Sequence, residues 1–311
     1  MAQYVLLQPL TKNRQARQPQ VHLARNIDSN ELVVIKWLND KSSTVEQHWF
    51  KQELAVLQDL ASGSNYPYAL AVIEAGHDGL LLNQAQGKTT LIAQHYLAAQ
   101  YLVMPYIEQG SLATALVRKN YDLKGIHYII MQLIDAVEKL HYCGWLHLDL
   151  KPSNILLAEK NLVSRSTIHS LQIALIDFAL AQRMAEPSKQ GACSRITQGT
   201  PKYMSPEQFL GQPLNQQTDY YALGLILYEL LAGQSPFCAD LANSNHHYQQ
   251  WAIQHCQQPV PLLPPSLSNF QTLIDGLLAK DRQNRIQTTA PIRDLANMAF
   301  SVNSAFINFN E

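Results

Sequence analysis

Within the stretch WLHLDLKPSNILL, Lys151 follows Asp149 by two residues and Asn154 follows it by five. Those three side-chain types suit one kind of chemistry. A carboxylate can accept the proton of an attacking hydroxyl, a lysine can neutralise charge on a moving phosphoryl group, and an amide oxygen can hold a metal ion. Phosphoryl transfer to a hydroxyl needs all three together. Taken alone, the stretch also reads as a helix end, a Pro-Ser turn and a buried strand.

The stretch resembles the catalytic loop of protein kinases, H-R-D-L-x-x-x-N, with Leu148 where that motif has arginine. Downstream, Asp177-Phe178-Ala179 resembles D-F-G with its glycine replaced. Gly199-Thr200-Pro201-Lys202-Tyr203-Met204-Ser205-Pro206-Glu207 resembles G-T-x-x-Y-x-[AS]-P-E, which closes the activation segment of serine/threonine kinases. This last signature argues against small-molecule phosphotransferases that share the H-x-D-x-x-x-x-N loop. Membership of the eukaryotic-like serine/threonine protein kinases implies Asp149 as catalytic base, Lys151 as charge neutraliser, and Asn154 and Asp177 as ligands of Mg or Mn. It implies Thr200 beside Lys151, as in a hydroxyl-directed enzyme. It also implies that Asp219 caps the following helix and braces the catalytic loop, and that Arg285 of KDRQNR pairs with Glu207. Alanine at 179 should restrict backbone reversals that glycine permits. Leu148 cannot pair with a phosphate on Ser188, Ser194 or Thr197, so none of these should act as an on-switch through it.

The elements that position these groups follow from periodicity. Residues 1 to about 38 alternate as strands: YVLLQPL, VHLARN and ELVVIKWL, with a turn at IDSN. Val33-Val34-Ile35-Lys36 resembles the family's V-A-I-K strand, which implies that Lys36 anchors the ATP phosphates. An amphipathic helix follows, roughly Thr44 to Leu60. On it Glu53 is preferred over Glu46 as partner of Lys36, because Phe50, Leu54 and Leu57 turn that face inward. Tyr66 to Ala75 should continue the sheet, and residues 77–99 form an inserted hairpin or short helix, a candidate partner surface. Gln86-Gly87-Lys88-Thr89 is no Walker loop, since residue 82 is leucine where that motif needs glycine. Tyr101 to Leu112 reads as a buried strand, a linker and a helix cap, and resembles the kinase hinge. On that alignment Met104 is the gatekeeper, the Pro105 carbonyl and the Ile107 amide meet the adenine, and Val21, Val34 and Leu156 sandwich it. An apolar period from Ile126 to Leu140 marks a long helix leading to the catalytic loop. Asn154 and Asp177 lie about ten residues further apart than the family implies, which a longer hairpin across the 158–174 insertion would absorb. Helices are expected over Asp219–Leu230, Asn243–Gln257 and Phe270–Ala279.

Composition bounds the rest. Among 311 residues, 47% are hydrophobic and 15% charged, as in a folded α+β protein with a substantial core. A net charge of −1 provides no global field for nucleic acid or an anionic membrane. The four cysteines, Cys143, Cys193, Cys238 and Cys256, form no C-x-x-C pair and read as reduced residues. The run from Ala222 to Gly233 is too short and too charged to span a bilayer. With no signal core at the N-terminus, a cytoplasmic protein is expected. The expected architecture is one protein kinase domain over 1–311. Its small lobe, 1–107, is an antiparallel sheet plus one helix, and its larger, mainly helical lobe is 108–311. Its partners are ATP and a protein carrying serine or threonine. One departure is chemical: Thr11 to Gln20 stands where kinases have a glycine-rich loop, and contains Lys12, Arg14 and Arg17 but no glycine. It reads as a solvated basic hairpin tip, or as cations that meet the phosphates by charge. With Leu148 and Ala179, it keeps a second function open: a pseudokinase, binding nucleotide as a regulatory scaffold with little turnover.

Overall fold

The computed structural model describes residues 3–10, 19–38, 42–62, 66–76, 80–84, 92–97, 100–118, 122–159, 171–184, 199–239 and 247–307. The basic residues Lys12, Arg14 and Arg17, the Gln86–Thr89 stretch, Cys193, and the hydroxyls of Ser188, Ser194 and Thr197 lie outside them. Backbone contacts divide the chain into two compact units, Met1–Glu108 and Gln109–Glu311.

The first unit is a sheet with one helix. Strands β1 (Gln3–Pro9), β2 (Gln20–Asn26) and β3 (Leu32–Trp37) form an antiparallel meander. Helix α1 (Thr44–Ser62) follows, then β4 (Glu74–Gly76), β5 (Leu80–Gln84), β6 (Ile92–Leu97) and β7 (Tyr101–Pro105). The spatial order is β4-β7-β3-β2-β1-β5-β6. The residues expected to be inserted thus form an antiparallel pair, β5 with β6, which joins the sheet by a parallel pairing of β5 with β1. The stretch from Tyr66 to Ala75 is a correction. Only its last two residues enter a strand, β4; the remainder is turn and irregular chain, where Pro67 supplies no ladder donor. Alternation puts Tyr4, Ala24, Val33, Ile35, Trp37, Tyr101 and Val103 in one buried cluster. The opposite face, carrying Val21, Val34, Lys36 and Met104, is left for other work. On α1 the buried stripe is Phe50, Glu53, Val56, Leu57 and Leu60, with Leu54 only half-buried.

The second unit is mainly helical: α2 (Leu112–Arg118), α3 (Leu123–Tyr142), α4 (Pro206–Phe209), α5 (Gln216–Ala232), α6 (His247–Gln257), α7 (Gln271–Leu278) and α8 (Thr289–Ile307). Two short antiparallel pairs lie among them: β8 (Trp145–Leu146) with β11 (Gln182–Arg183), and β9 (Ile155–Glu159) with β10 (Leu171–Leu175). Helix α3 starts where Asp122 accepts from the Gly125 N–H at 2.8 Å, and its apolar stripe is buried through Leu140. Helix α5 is buried on every side, as its continuous apolar composition requires. Its cap corrects the expectation for Asp219. The N-cap is Asn215, in a reciprocal box with Thr218, because a cap needs extended backbone before the first turn. Asp219 lies inside that turn, so its carboxylate is available to another segment. No helix among the described residues is long and apolar enough to cross a membrane.

Candidate active site

In the first unit, Lys36 projects from β3 and its Nζ lies 2.5 Å from Glu53 Oε2 of α1. Both side chains are largely buried, at 14% and 3% exposure, so water screens the pair weakly. Glu46 is engaged elsewhere: it accepts from the Ser43 N–H at 2.7 Å and from the Ser43 hydroxyl at 3.0 Å, capping the helix start. Cross-strand register sets Val21 opposite Lys36, and Val34 opposite Met104. These four therefore share one sheet face. Pro105 ends β7 opposite Val33, and Ile107 lies in the irregular chain that follows. Leu156 belongs to the second unit, on β9 opposite Ala174.

In the second unit, the segment after β8 is shaped by Asp219, which is 1% exposed. Its Oδ2 accepts from the His147 N–H at 2.9 Å and lies 2.8 Å from His141 Nε2; its Oδ1 accepts from the Leu148 N–H at 2.9 Å. Burial alone would raise this carboxyl's pKa, but the bonds from His141 and His147 outweigh it and hold the group below its usual range. At the second of these donors the backbone turns left-handed, with Leu148 at φ 64°. Such a conformation costs a non-glycine residue about 1–3 kcal/mol. The Leu148 side chain is buried, and its carbonyl accepts from Gln208 Nε2 at 3.0 Å.

This turn delivers Asp149. Its Oδ2 accepts from Lys151 Nζ at 2.5 Å, and its Oδ1 accepts from the Thr200 N–H at 3.1 Å and the Thr200 hydroxyl at 3.2 Å. Lys151 Nζ also donates to Thr200 Oγ1 at 2.7 Å. The close approach of Thr200 depends on Gly199, at φ 133°, where a Cβ would stand 3.8 Å from Asp149 Oδ1 in a conformation that L residues rarely adopt. Asn154 donates its amide nitrogen to the Asp149 carbonyl at 3.0 Å, which leaves its amide oxygen for another partner. The Ile176 N–H donates to the Asn154 carbonyl at 3.0 Å, so the β9–β10 pair brings Asp177 to the same loop. Asp177 itself is left-handed, at φ 65°, and Phe178 behind it is fully buried against the His147 ring at 5.0 Å. His147 has no exposure, and that burial lowers its pKa despite the surrounding carboxylates, keeping the imidazole neutral. Among the described residues no group of three or more His, Cys, Asp and Glu could hold a metal. One amide oxygen and one carboxylate instead form a hard, sparse donor set. That is the chemistry of Mg, which keeps several waters and substrate phosphates.

The far end of the segment is fixed by a buried ion pair. Arg285 donates to Glu207 Oε1 at 2.7 Å and Oε2 at 3.1 Å, and to the Gln217 and Ala279 carbonyls at 2.6 and 3.1 Å. Glu207 also accepts from Thr218 Oγ1 at 3.0 Å. Burial opposes ionisation of Glu207, yet Arg285 holds its pKa below the usual value. Sequence reasoning missed Gln208 and His141. Gln208 carries a signal, since Ser205-Pro206-Glu207-Gln208 has capping-box spacing and both reciprocal bonds form. His141 carries none, because its partner lies 78 residues away.

A family model described as the protein kinase domain matches residues 17–298. The chain belongs to the protein kinase domain family. Serine/threonine-protein kinase PknB of Mycolicibacterium smegmatis is 26% identical over 276 residues, covering 88% of this chain and 40% of that protein. Serine/threonine-protein kinase pkn2 of Myxococcus xanthus is 31% identical over 213 residues, covering 66% of this chain and 24% of that protein. Serine/threonine-protein kinase RUNKEL of Arabidopsis thaliana is 34% identical over 207 residues, covering 65% and 14%. The kinase domain chain therefore matches well under half the length of these relatives. The first unit's sheet with helix and the second unit's helices are the two parts of the α+β kinase fold.

Proposed function

We propose that this chain is an ATP-dependent serine/threonine protein kinase that moves the γ-phosphoryl group to protein hydroxyls. The observation that carries this reading is the cluster of Asp149, Lys151 and Thr200, a carboxylate and an ammonium converging on one hydroxyl at 3.2 and 2.7 Å. Asp149 orients the attacking hydroxyl and accepts its proton. Lys151 holds positive charge where the phosphoryl oxygens pass. Lys36, steadied by Glu53, anchors the α- and β-phosphates. The apolar side chains assigned to the adenine are Val21, Val34 and Met104 in the first unit and Leu156 in the second, with the Pro105 carbonyl and Ile107 amide as its backbone partners. Asn154 and Asp177 would hold Mg or Mn, which when bound would neutralise phosphate charge. Homologous serine/threonine kinases and the matching family model support the same reading.

Two of the departures that suggested a non-catalytic scaffold have structural homes. Leu148 packs in the core while its backbone holds the turn, and the left-handed residue of Asp177-Phe178-Ala179 is Asp177, so alanine is tolerated at 179. The deciding experiment measures radiolabel transfer from ATP, with Mg or Mn, to the protein itself and to a basic carrier protein. Transfer that disappears in Asp149→Asn supports the reading. No transfer with either metal, together with nucleotide-dependent stabilisation, would favour the scaffold.

A further inference from the structure

Between α6 and α7 the chain reads QQPVPLLPPS, with prolines at 259, 261, 264 and 265. Each proline holds its own φ at about −65°, and the residue before a proline is driven to extended backbone. Within residues 259–265 only Leu262 escapes both constraints. Such a chain is dictated to be a polyproline II helix. Residues 259–264 accordingly belong to no α-helix or strand, and Pro264 stands at φ −51° and ψ 148°. None of these residues has a role in the scheme above.

Polyproline II has three residues per turn, so residues three apart share an edge. One edge faces the protein: Leu263 is buried and Val260 half-buried. The other two edges, Pro261 with Pro264 and Leu262 with Pro259 and Pro265, lie in solvent, with Leu262 at 80% exposure. The inner edge is tied down. The Leu263 N–H donates to Gln271 Oε1 at 2.9 Å, and the Leu267 N–H donates to the Pro264 carbonyl at 2.8 Å. Among the described residues none donates to the carbonyls of Pro259, Val260, Pro261 or Leu262. Two apolar edges and a row of open acceptors are what an aromatic-lined groove recognises: its rings pack on the edges, and an indole N–H or phenol O–H meets a carbonyl. Because the strip is already held in shape, docking would order little that is free. Charge narrows the partner further. No Asp, Glu, Lys or Arg occurs from residue 241 to residue 274, so the strip brings no ion to a charged pocket.

We infer that residues 259–265 are a docking strip for a partner protein whose groove is lined by aromatic side chains and takes uncharged polyproline II chain. The inference does not depend on phosphate transfer, and its test is read by binding to the full chain. Two isotope-labelled probe domains are titrated by NMR: a WW domain of the class that reads proline and leucine, whose groove is aromatic, and an SH3 domain, whose aromatic grooves adjoin an acidic pocket. The WW domain should bind saturably, with shifts confined to its groove and more tightly than the SH3 domain. Its affinity should change by less than about twofold between about 0.05 and 0.5 M salt, since no ion pair forms. Pro261→Ala/Pro264→Ala should weaken binding roughly tenfold or more while moving the melting temperature little, because both side chains are exposed. Leu262→Asp should weaken it similarly, and decides the matter if the proline variant does not melt cooperatively. No saturable binding to the WW domain, tighter binding to the SH3 domain, loss of affinity with salt, or binding that survives both variants overturns the inference. So does a concentration-dependent dimer of the chain that Leu262→Asp abolishes, which would make a second copy the occupant.

Discussion

Asp219→Asn is the most informative single change, because it alters one atom of a group that does not touch the reacting centre. Three donors converge on the carboxylate: the His147 and Leu148 N–H groups and His141 Nε2. Asparagine keeps one oxygen and turns the other position into a donor. Wherever the oxygen goes, at least one backbone N–H faces an NH₂ group. A hydrogen bond to a charged acceptor contributes about 1.5–3 kcal/mol. That matches the roughly 1–3 kcal/mol needed to hold Leu148 left-handed. The turn should then relax toward ordinary backbone in most molecules, carrying Asp149 away from Thr200. At about 1.4 kcal/mol per decade, kcat/KM for phosphate transfer should fall roughly 10- to 100-fold. Nucleotide affinity without metal, which the proposed function assigns to Lys36 and Glu53, should change by less than about threefold. Acid sensitivity gives a second readout. The Asp219 pKa is lower when folded than the ordinary 3.8, so its contribution is present above that value and lost as pH falls through the folded pKa. Thermal melts from pH 7 to pH 3 should show this acid loss in the parent and less of it in the variant. Transfer within threefold of the parent would refute the reasoning, and so would an equal loss of metal-free nucleotide binding.

Other substitutions separate the remaining parts. Asp149→Asn should abolish transfer while leaving nucleotide bound, whereas Asp177→Asn should also remove most of the metal-dependent thermal stabilisation by ATP; scanning calorimetry with and without Mg distinguishes them. Arg285→Met strands Glu207 in the core and should cost about 3–5 kcal/mol, read as a lower denaturant midpoint, and pairing it with Glu207→Leu should recover much of that. Lys280 lies against Phe237 and Tyr221, and burial lowers its pKa from 10.5 to about 8. The folded protein therefore releases this proton first, so stability should rise with pH between about 8 and 10.5, and Lys280→Met should flatten that rise in melting curves.

How much of this was legible beforehand depended on range. Asp149, Lys151 and Asn154 share a short loop, so their spacing in the chain carries their spacing in space. Lys36 was legible through the resemblance of Val33-Val34-Ile35-Lys36 to the family's strand, and helical periodicity then chose Glu53 over Glu46 as its partner. The Glu207–Arg285 pair was legible through resemblance alone, since it joins residues 78 apart. Asp219 was half-legible: its link to the loop was expected, but the helix begins at Gln216 and Asn215 does the capping. The 77–99 stretch read as a possible hairpin, yet nothing in alternation says which sheet edge a hairpin joins. Lys202 with Glu229, and Glu74 accepting from both Tyr4 and Tyr101 at 3.0 and 2.8 Å, are tertiary pairings with no local pattern.

Strand β1 has a practical consequence for anyone producing a fragment of this protein. Similarity to the family begins at residue 17, but β1 spans Gln3–Pro9 and lies inside the sheet, between β2 and β5. Its Tyr4 has no solvent exposure and donates to Glu74 at 3.0 Å. A fragment trimmed to the matched region would lose that side chain from the core and detach the β5–β6 pair. It would also leave one side of β2 as a bare row of N–H and C=O groups, the kind of edge on which chains stack into insoluble material. The cut that homology suggests runs through the middle of a sheet.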